Sequence, residues 1–179
     1  MPDEAAATDT LLIMVDVQDR KTGFVDKVTA HQCGILHRAF SIFVFDAGTR
    51  LLLQRRASGK YHSGGLWSNT CCSHPRPGES LLDSAHRRLQ EEMGFDCPLE
   101  TVFGFVYRAT LGGGLVEHEF DHVIVGRFHG TPLPDPREVE DWGWESVSAV
   151  QAQLAENPMR FTAWFKAALD GLLARGLPR

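Results

Sequence analysis

Apolar residues recur along this chain in two rhythms, and the change from one to the other divides it into elements. Residues 11–17 form a short apolar run that predicts a β-strand. Apolar runs at 36–45 and 51–56 flank the turn sequence Asp46-Ala47-Gly48-Thr49 and predict a hairpin. Residues 66–72 offer another short strand. From Ser80 the period lengthens. Leu81, Ala85, Leu89 and Met93 recur every four residues, the spacing that stacks side chains on one face of a helix. Ser80 supplies an N-cap with Asp83 three residues on, and Gly94 a stop, so a helix is predicted over 80–93. Ser84, Arg88, Glu91 and Glu92 then face away from its buried stripe. Residues 101–110 and 116–128 predict a second hairpin around Gly112-Gly113-Gly114. A Pro-rich loop at 131–136 precedes a strand at 142–144, and helical stretches at 148–156 and 161–173 follow. Strands dominate around one central and two terminal helices. The expected fold class is α/β in the mixed, α+β sense, as one domain over 1–179 with 1–10 as a flexible tail.

Composition narrows the partners more than the fold. A 179-residue chain can bury a sizeable core without disulfide or metal staples. Eighteen Lys and Arg stand against 23 Asp and Glu, a net charge of −5, and the cations are scattered rather than gathered in a stripe. That argues against nucleic acid or an anionic membrane surface as partner, so any anionic ligand is small and met by a local cluster. The apolar runs are too short to span a bilayer, and the acidic start lacks the basic segment of a signal peptide. The cysteines at 33, 71, 72 and 97 lack zinc-type pair spacing, and two are adjacent, which points to a reduced, cytoplasmic setting. Nothing in the composition fixes an oligomeric state.

The chemistry gathers around the predicted helix. Residues 69–79, just ahead of it, crowd Cys, His, Arg and Glu into one loop, the kind of segment where binding groups collect. Arg88 and Glu92 are i, i+4 neighbours, which by themselves read as a surface ion pair. Glu117 and Glu119 leave the same face of a strand, and alone describe an exposed polar face. With histidines nearby they describe a metal site, while His118 and His122 point the other way and read as structural. A free Cys is ordinarily a small buried hydrophobe. Cys71 and Cys72 are neighbours on an extended segment, so only one of them packs inward.

Residues 73–95 resemble a Nudix box, the signature of enzymes that bind a metal-complexed diphosphate, with Glu79, Arg87, Leu89, Glu91, Glu92, Gly94 and Phe95 on its pattern. Two positions depart from it: Ser73 stands for the opening Gly, and Arg88 for the Glu that normally follows the motif's Arg. Both departures are those of the type I isopentenyl-diphosphate isomerases. Leu36-His37-Arg38-Ala39-Phe40-Ser41, Gln54-Arg55-Arg56-Ala57, Ser68-Asn69-Thr70-Cys71-Cys72-Ser73-His74-Pro75, Tyr107-Arg108-Ala109-Thr110 and Val116-Glu117-His118-Glu119 are similar to motifs of that family, and the likeness runs from about residue 27 to 164.

The resemblance implies a Nudix-type fold, a mixed β-sheet sandwich with a central helix and C-terminal helices. It also implies an isomerase of isoprenoid biosynthesis that converts isopentenyl diphosphate to dimethylallyl diphosphate through a tertiary carbocation. Cys72 is then one proton-transfer group, opposite Glu119 with Tyr107 beside it. His31, His37, His74, Glu117 and Glu119 are implied as ligands of one divalent ion, whose donor set suits Zn²⁺ or Mn²⁺ better than Mg²⁺. Mg²⁺ is implied between the diphosphate and Glu92, and Lys27, Arg56, Lys60 and Arg88 as the diphosphate's cations. Trp164 is implied over the hydrocarbon, where an indole face stabilises positive charge. The interval from His31 to His37 reads as a loop, which leaves His31 the least constrained ligand, and Cys33 within it has no role. A Nudix hydrolase would share the fold but keep the full carboxylate cluster and need neither Cys72 nor Trp164. A binding domain without catalysis would show broken ligand positions.

Overall fold

The computed structural model describes residues 10–176, so the tail expected at 1–10 lies, except for Thr10, outside the described residues. Strand β3 (His37–Phe45) is the axis of the molecule. It runs parallel to β8 (Val116–Arg127), with His37 opposite Glu119 and Phe45 opposite Arg127. It is antiparallel to β6 (Cys71–Ser73), with Ser41 opposite Cys72, and touches β1 (Leu11–Val15) and β4 (Leu51–Arg56) at its two ends. β7 (Leu99–Thr110) completes the predicted hairpin with β8, with Tyr107 opposite Glu119. β4 carries β9 (Val139–Glu145) and β5 (Trp67–Ser68).

Alternation along β3 feeds two cores, because successive side chains of a strand leave opposite faces. Phe43 and Phe45 join Leu51, Leu53, Val123 and Val125 against the helices Val147–Glu156 and Phe165–Arg175. Phe40, Ile42 and Val44 join Leu52 and Ile124 against Ala85, Leu89 and Met93 of the central helix Leu81–Met93. In chain order the helices are α1 (Lys27–Cys33), α2 (Leu81–Met93), α3 (Val147–Glu156) and α4 (Phe165–Arg175). A strand covered on both faces needs no polar side, hence its nearly unbroken apolar run.

Helix α2 begins and ends where its sequence predicts. Ser80 caps it by accepting the Asp83 N–H, and Gly94 closes it in the left-handed region at φ 72°. A Cβ on Gly94 would lie 2.1 Å from the Leu133 carbonyl oxygen, so both conformation and close approach require glycine. The buried face is wider than the four-residue stripe. Ser84 and Glu92, read as facing away, are buried, because they point at a second packing edge formed by the loop after β6 and by β4.

Other boundaries differ for local reasons. β1 stops at Val15 because Asp16 folds back to accept the N–H groups of Gln18 and Arg20. β2 (Lys21–Asp26) pairs with β1 at the sheet edge, and its polar, half-exposed sequence carries no apolar alternation. α1 replaces part of the loop read between His31 and His37. Asp26 caps its start and Gly34, at φ 63°, its end. The strand read at 66–72 is broken into β5 and β6 by Asn69 and Thr70, whose side chains bond to the backbone of Ile42, Val44 and Leu52. The last helix starts only at Phe165, since Phe161 forms an extended bridge with Trp67. No helix among the described residues is long and apolar enough to cross a membrane.

Candidate active site

A cavity of about 290 Å³ opens beside β3, where α1, the β4–β5 loop, β6, α2, β8 and the residue before α4 converge. His31 closes the last turn of α1 and His37 opens β3; both are fully buried. The Nδ1 of His31 donates to the Lys27 carbonyl at 2.6 Å, and that of His37 to the Ile35 carbonyl at 2.8 Å, so in the neutral ring each Nε2 is left with a lone pair. Those lone pairs face carboxylates. His31 Nε2 lies 3.3 Å from Glu117 Oε2, and His37 Nε2 lies 3.5 Å from Glu119 Oε1. His31 Nε2, His37 Nε2 and Glu117 Oε2 are buried without a hydrogen-bond partner. His74, just past β6, brings its Nε2 to 2.8 Å from Glu119 Oε1.

Buried acceptor facing buried acceptor is unfavourable unless a positive centre sits between them. The electrostatics agree. Burial and the charge of Glu119 push the Glu117 carboxyl up to about 7. Burial also opposes charge on Glu119, but His37 and His74 outweigh it and hold that carboxyl well below the usual range. Burial lowers the pKa of His31 while Glu117 outweighs it, and the net shift is upward. In each case the site draws positive charge. The nearest ligand atoms of His31, His37 and His74 lie within 4.8 Å of one another, as do those of His37, Glu117 and Glu119. Three imidazoles and two carboxylates so arranged fit one divalent ion. His31, the least constrained in sequence, is among the most enclosed.

Tyr107, across the β7–β8 ladder, donates its hydroxyl to Glu119 Oε2 at 2.5 Å. Burial pushes its own pKa well above the usual phenol range. Cys72 stands on the other flank of β3. Its thiol points to Asn69 Oδ1 at 3.0 Å and accepts the indole N–H of Trp164 at 3.1 Å, with Ser41 Oγ at 3.7 Å. Burial and the Asp121 charge push this thiol up to about 12, so it is neutral at ordinary pH. Cys71 faces the core, as the alternation requires. The two histidines of β8 are on the far face, His118 bonded to the Gly34 carbonyl and His122 to Asp19.

Lys27, Arg56, Lys60 and Arg88 line the same cavity. Burial and the nearby cations Lys60 and Arg56 depress the Lys27 pKa, the mark of a cluster that an anion would relieve. Arg88 bonds Glu92 at 2.5 Å and Glu91 at 2.6 Å, while Lys60 pairs with Glu138. The Arg88–Glu92 pair is therefore not a surface ion pair: Glu92 is 1% exposed and also accepts from Gln54 Nε2.

Of the site residues picked out in sequence, all line this cavity except His31, His37 and Tyr107, which stand behind it against Glu117 and Glu119; four further residues were missed by sequence reading. Ser41 donates to Asp121 Oδ2 at 2.8 Å behind Cys72, and Glu138 bridges Lys60 and Arg88. His62, in the β4–β5 loop, places Nε2 3.1 Å from Glu117 Oε1. Asp121 continues the inward alternation of Glu117 and Glu119, a signal already present in the sequence.

A model of the Nudix domain matches residues 35–165. An isopentenyl-diphosphate Delta-isomerase of Aromatoleum aromaticum is 55% identical over 163 residues, 91% of this chain and 86% of that one. The isopentenyl-diphosphate Delta-isomerase of Burkholderia multivorans is 55% identical over 93% of each chain, and that of Serratia proteamaculans 50% identical over 96% of each. Among solved structures, a Deinococcus radiodurans protein superposes with a TM-score of 0.66 at 18% identity, covering 82% of this chain and 89% of its own. The MutT protein of Methanosarcina mazei gives 0.66 at 15% identity, over 80% and 96%. These structures speak for the fold alone, and the sequence relatives go further: the chain belongs to the Nudix superfamily and, within it, to the isopentenyl-diphosphate Delta-isomerase family.

Proposed function

We propose that this enzyme interconverts isopentenyl and dimethylallyl diphosphate, with Cys72 on one side of the five-carbon chain and Glu119, backed by Tyr107, on the other. The observation that carries the reading is the placement in one cavity of the Cys72 thiol, bonded by Trp164, and the Glu119 carboxylate, bonded by Tyr107, on strands either side of β3. The reaction adds a proton to the terminal alkene carbon and removes one from the CH₂ next to the carbon bearing the diphosphate oxygen. Between these steps the charge rests on the tertiary carbon. One group gives the first proton while the other takes the second, and since the reaction is reversible each serves as acid in one direction and base in the other. Trp164 lies beside Cys72, where its ring face stabilises the cation and its bulk excludes water that would trap it.

Lys27, Arg56, Lys60 and Arg88 hold the diphosphate; Arg supplies paired donors and Lys a point charge. Glu92 would hold Mg²⁺ arriving with the diphosphate, which prefers few carboxylates plus phosphate oxygens. His31, His37, His74, Glu117 and Glu119 would hold a second divalent ion, Zn²⁺ or Mn²⁺ ahead of Mg²⁺. When bound, such an ion favours the ionised form of Glu119 and so makes the protonated carboxyl a stronger acid. Arg88 occupies a helix position where a hydrolase gathers metal with an acidic group, which favours isomerisation over diphosphate cleavage. The partner is a small anionic molecule, and the free thiols fit a cytoplasmic setting. Incubation with isopentenyl diphosphate and Mg²⁺ tests the reading. Dimethylallyl diphosphate should form without inorganic phosphate, and release of phosphate or pyrophosphate would overturn it.

A further inference from the structure

We propose that His62 is a positioning residue of the metal centre, holding Glu117 so that one carboxylate oxygen stays aimed at the ion. This rests on the reading of the His/Glu cluster as a metal site. His62 Nε2 lies 3.1 Å from Glu117 Oε1, while Glu117 Oε2 is the buried, unpartnered oxygen that faces His31. The two oxygens of one carboxylate are thus divided between His62 and His31; the ligand atoms of His31, His62 and Glu117 lie within 4.8 Å of one another, so the test must separate a ligand from a positioning residue. Nδ1 of His62 is 3.3 Å from the Ser63 hydroxyl, which can donate to it and leave the ring proton on Nε2, the nitrogen that stands 3.1 Å from Glu117 Oε1. A ligating carboxylate held by an outer hydrogen bond keeps its lone pair in place before the ion arrives.

The loop carrying His62 is itself held. Arg56 donates to the His62 carbonyl at 3.3 Å, and the Lys60 N–H donates to the Ala57 carbonyl at 3.1 Å. The ring packs edge-on against Trp164, with centroids 6.2 Å apart, and lies 5.2 Å from the His31 ring. His62 therefore joins three parts of the site: the Arg56 cation, the Trp164 wall and the Glu117 carboxylate.

The test is Mn²⁺ binding to the purified full chain, by calorimetry and by electron paramagnetic resonance, for wild type, His62→Ala and His62→Gln. Loss of an outer-shell partner typically weakens metal binding about 10–100-fold, the expected change for His62→Ala, with histidine nitrogen couplings kept as in wild type. Gln presents an amide N–H near the Nε2 position and is expected to recover most of the affinity. Unchanged affinity in His62→Ala would overturn the positioning role. Loss of one nitrogen coupling would overturn it as well, by making His62 a ligand. If wild type itself failed to bind Mn²⁺, the metal centre would fall and this role with it.

Discussion

Trp164 donates its indole N–H to the sulfur of Cys72 at 3.1 Å across 92 residues of sequence. The contact ties the last turn before α4 to β6 and sets the N–H edge of the indole against the thiol, with the ring in the wall of the same cavity. Trp164→Phe keeps a ring and removes the N–H. We expect a fall in turnover of about tenfold, against about 30-fold or more for Trp164→Ala, since cation stabilisation by a desolvated ring is worth about 2 kcal/mol. Steady-state kinetics check this, and equal rates for the two variants would remove the aromatic role.

Cys72→Ala should leave thermal stability and diphosphate affinity near wild type while turnover falls at least about 100-fold, the low end of what one acid–base group contributes. The sulfur sits in a pocket of polar neighbours, Asn69, Ser41 and Ser68, that an alanine leaves in place. Calorimetry with an unreactive diphosphate analogue separates the two effects. An active Cys72→Ala enzyme would dissolve the proposed pair.

Chelation should lower both activity and melting temperature. With a divalent ion at 100 times its dissociation constant, linkage adds about 2.7 kcal/mol to stability, which chelator removes. Activity and stability should return on adding Mn²⁺ or Zn²⁺. A melting temperature indifferent to chelator would speak against an ion among His31, His37, His74, Glu117 and Glu119.

Acid stability should depend on Glu79. Arg87 bonds both its oxygens, at 2.7 and 2.9 Å, and holds the carboxyl down to about 2 from an ordinary 4.5. A depressed folded-state value means the unfolded chain takes up the proton first. The stabilisation is therefore full above pH 4.5 and is lost as pH falls from there toward 2. Glu79→Gln should cost about 1–2 kcal/mol at pH 7, allowing for solvent screening, and have almost no effect at pH 2. Denaturant midpoints at the two pH values measure this, and a cost that does not shrink with acid would refute it.

What the sequence reveals of this molecule is what local chemistry decides. Ser80 and Gly94 mark the ends of α2 because caps act on adjacent backbone. The second hairpin is legible because Gly112-Gly113-Gly114 separates two long strands. β2 and α1 escape because one is a polar edge strand and the other is only seven residues long, held by Asp26 and Gly34 rather than by periodicity. The alternation of β8 puts Glu117 and Glu119 on one face, but only the fold sets His31 and His62 against Glu117. Arg88 and Glu92 have the spacing of a surface pair and become a buried one because Gln54 and Glu138 close over them. The family motifs reached further than propensity did, since they carry long-range contacts that no local pattern encodes.

The pairing of Cys72 with Glu119 is tested most directly by running the reaction in D₂O and following substrate and product by proton and phosphorus NMR. Wild type should place deuterium on the new methyl group of dimethylallyl diphosphate, with both phosphorus signals intact, while Cys72→Ala and Glu119→Gln incorporate none. Product free of solvent deuterium, or either variant exchanging at the wild-type rate, would contradict proton transfer between these two groups.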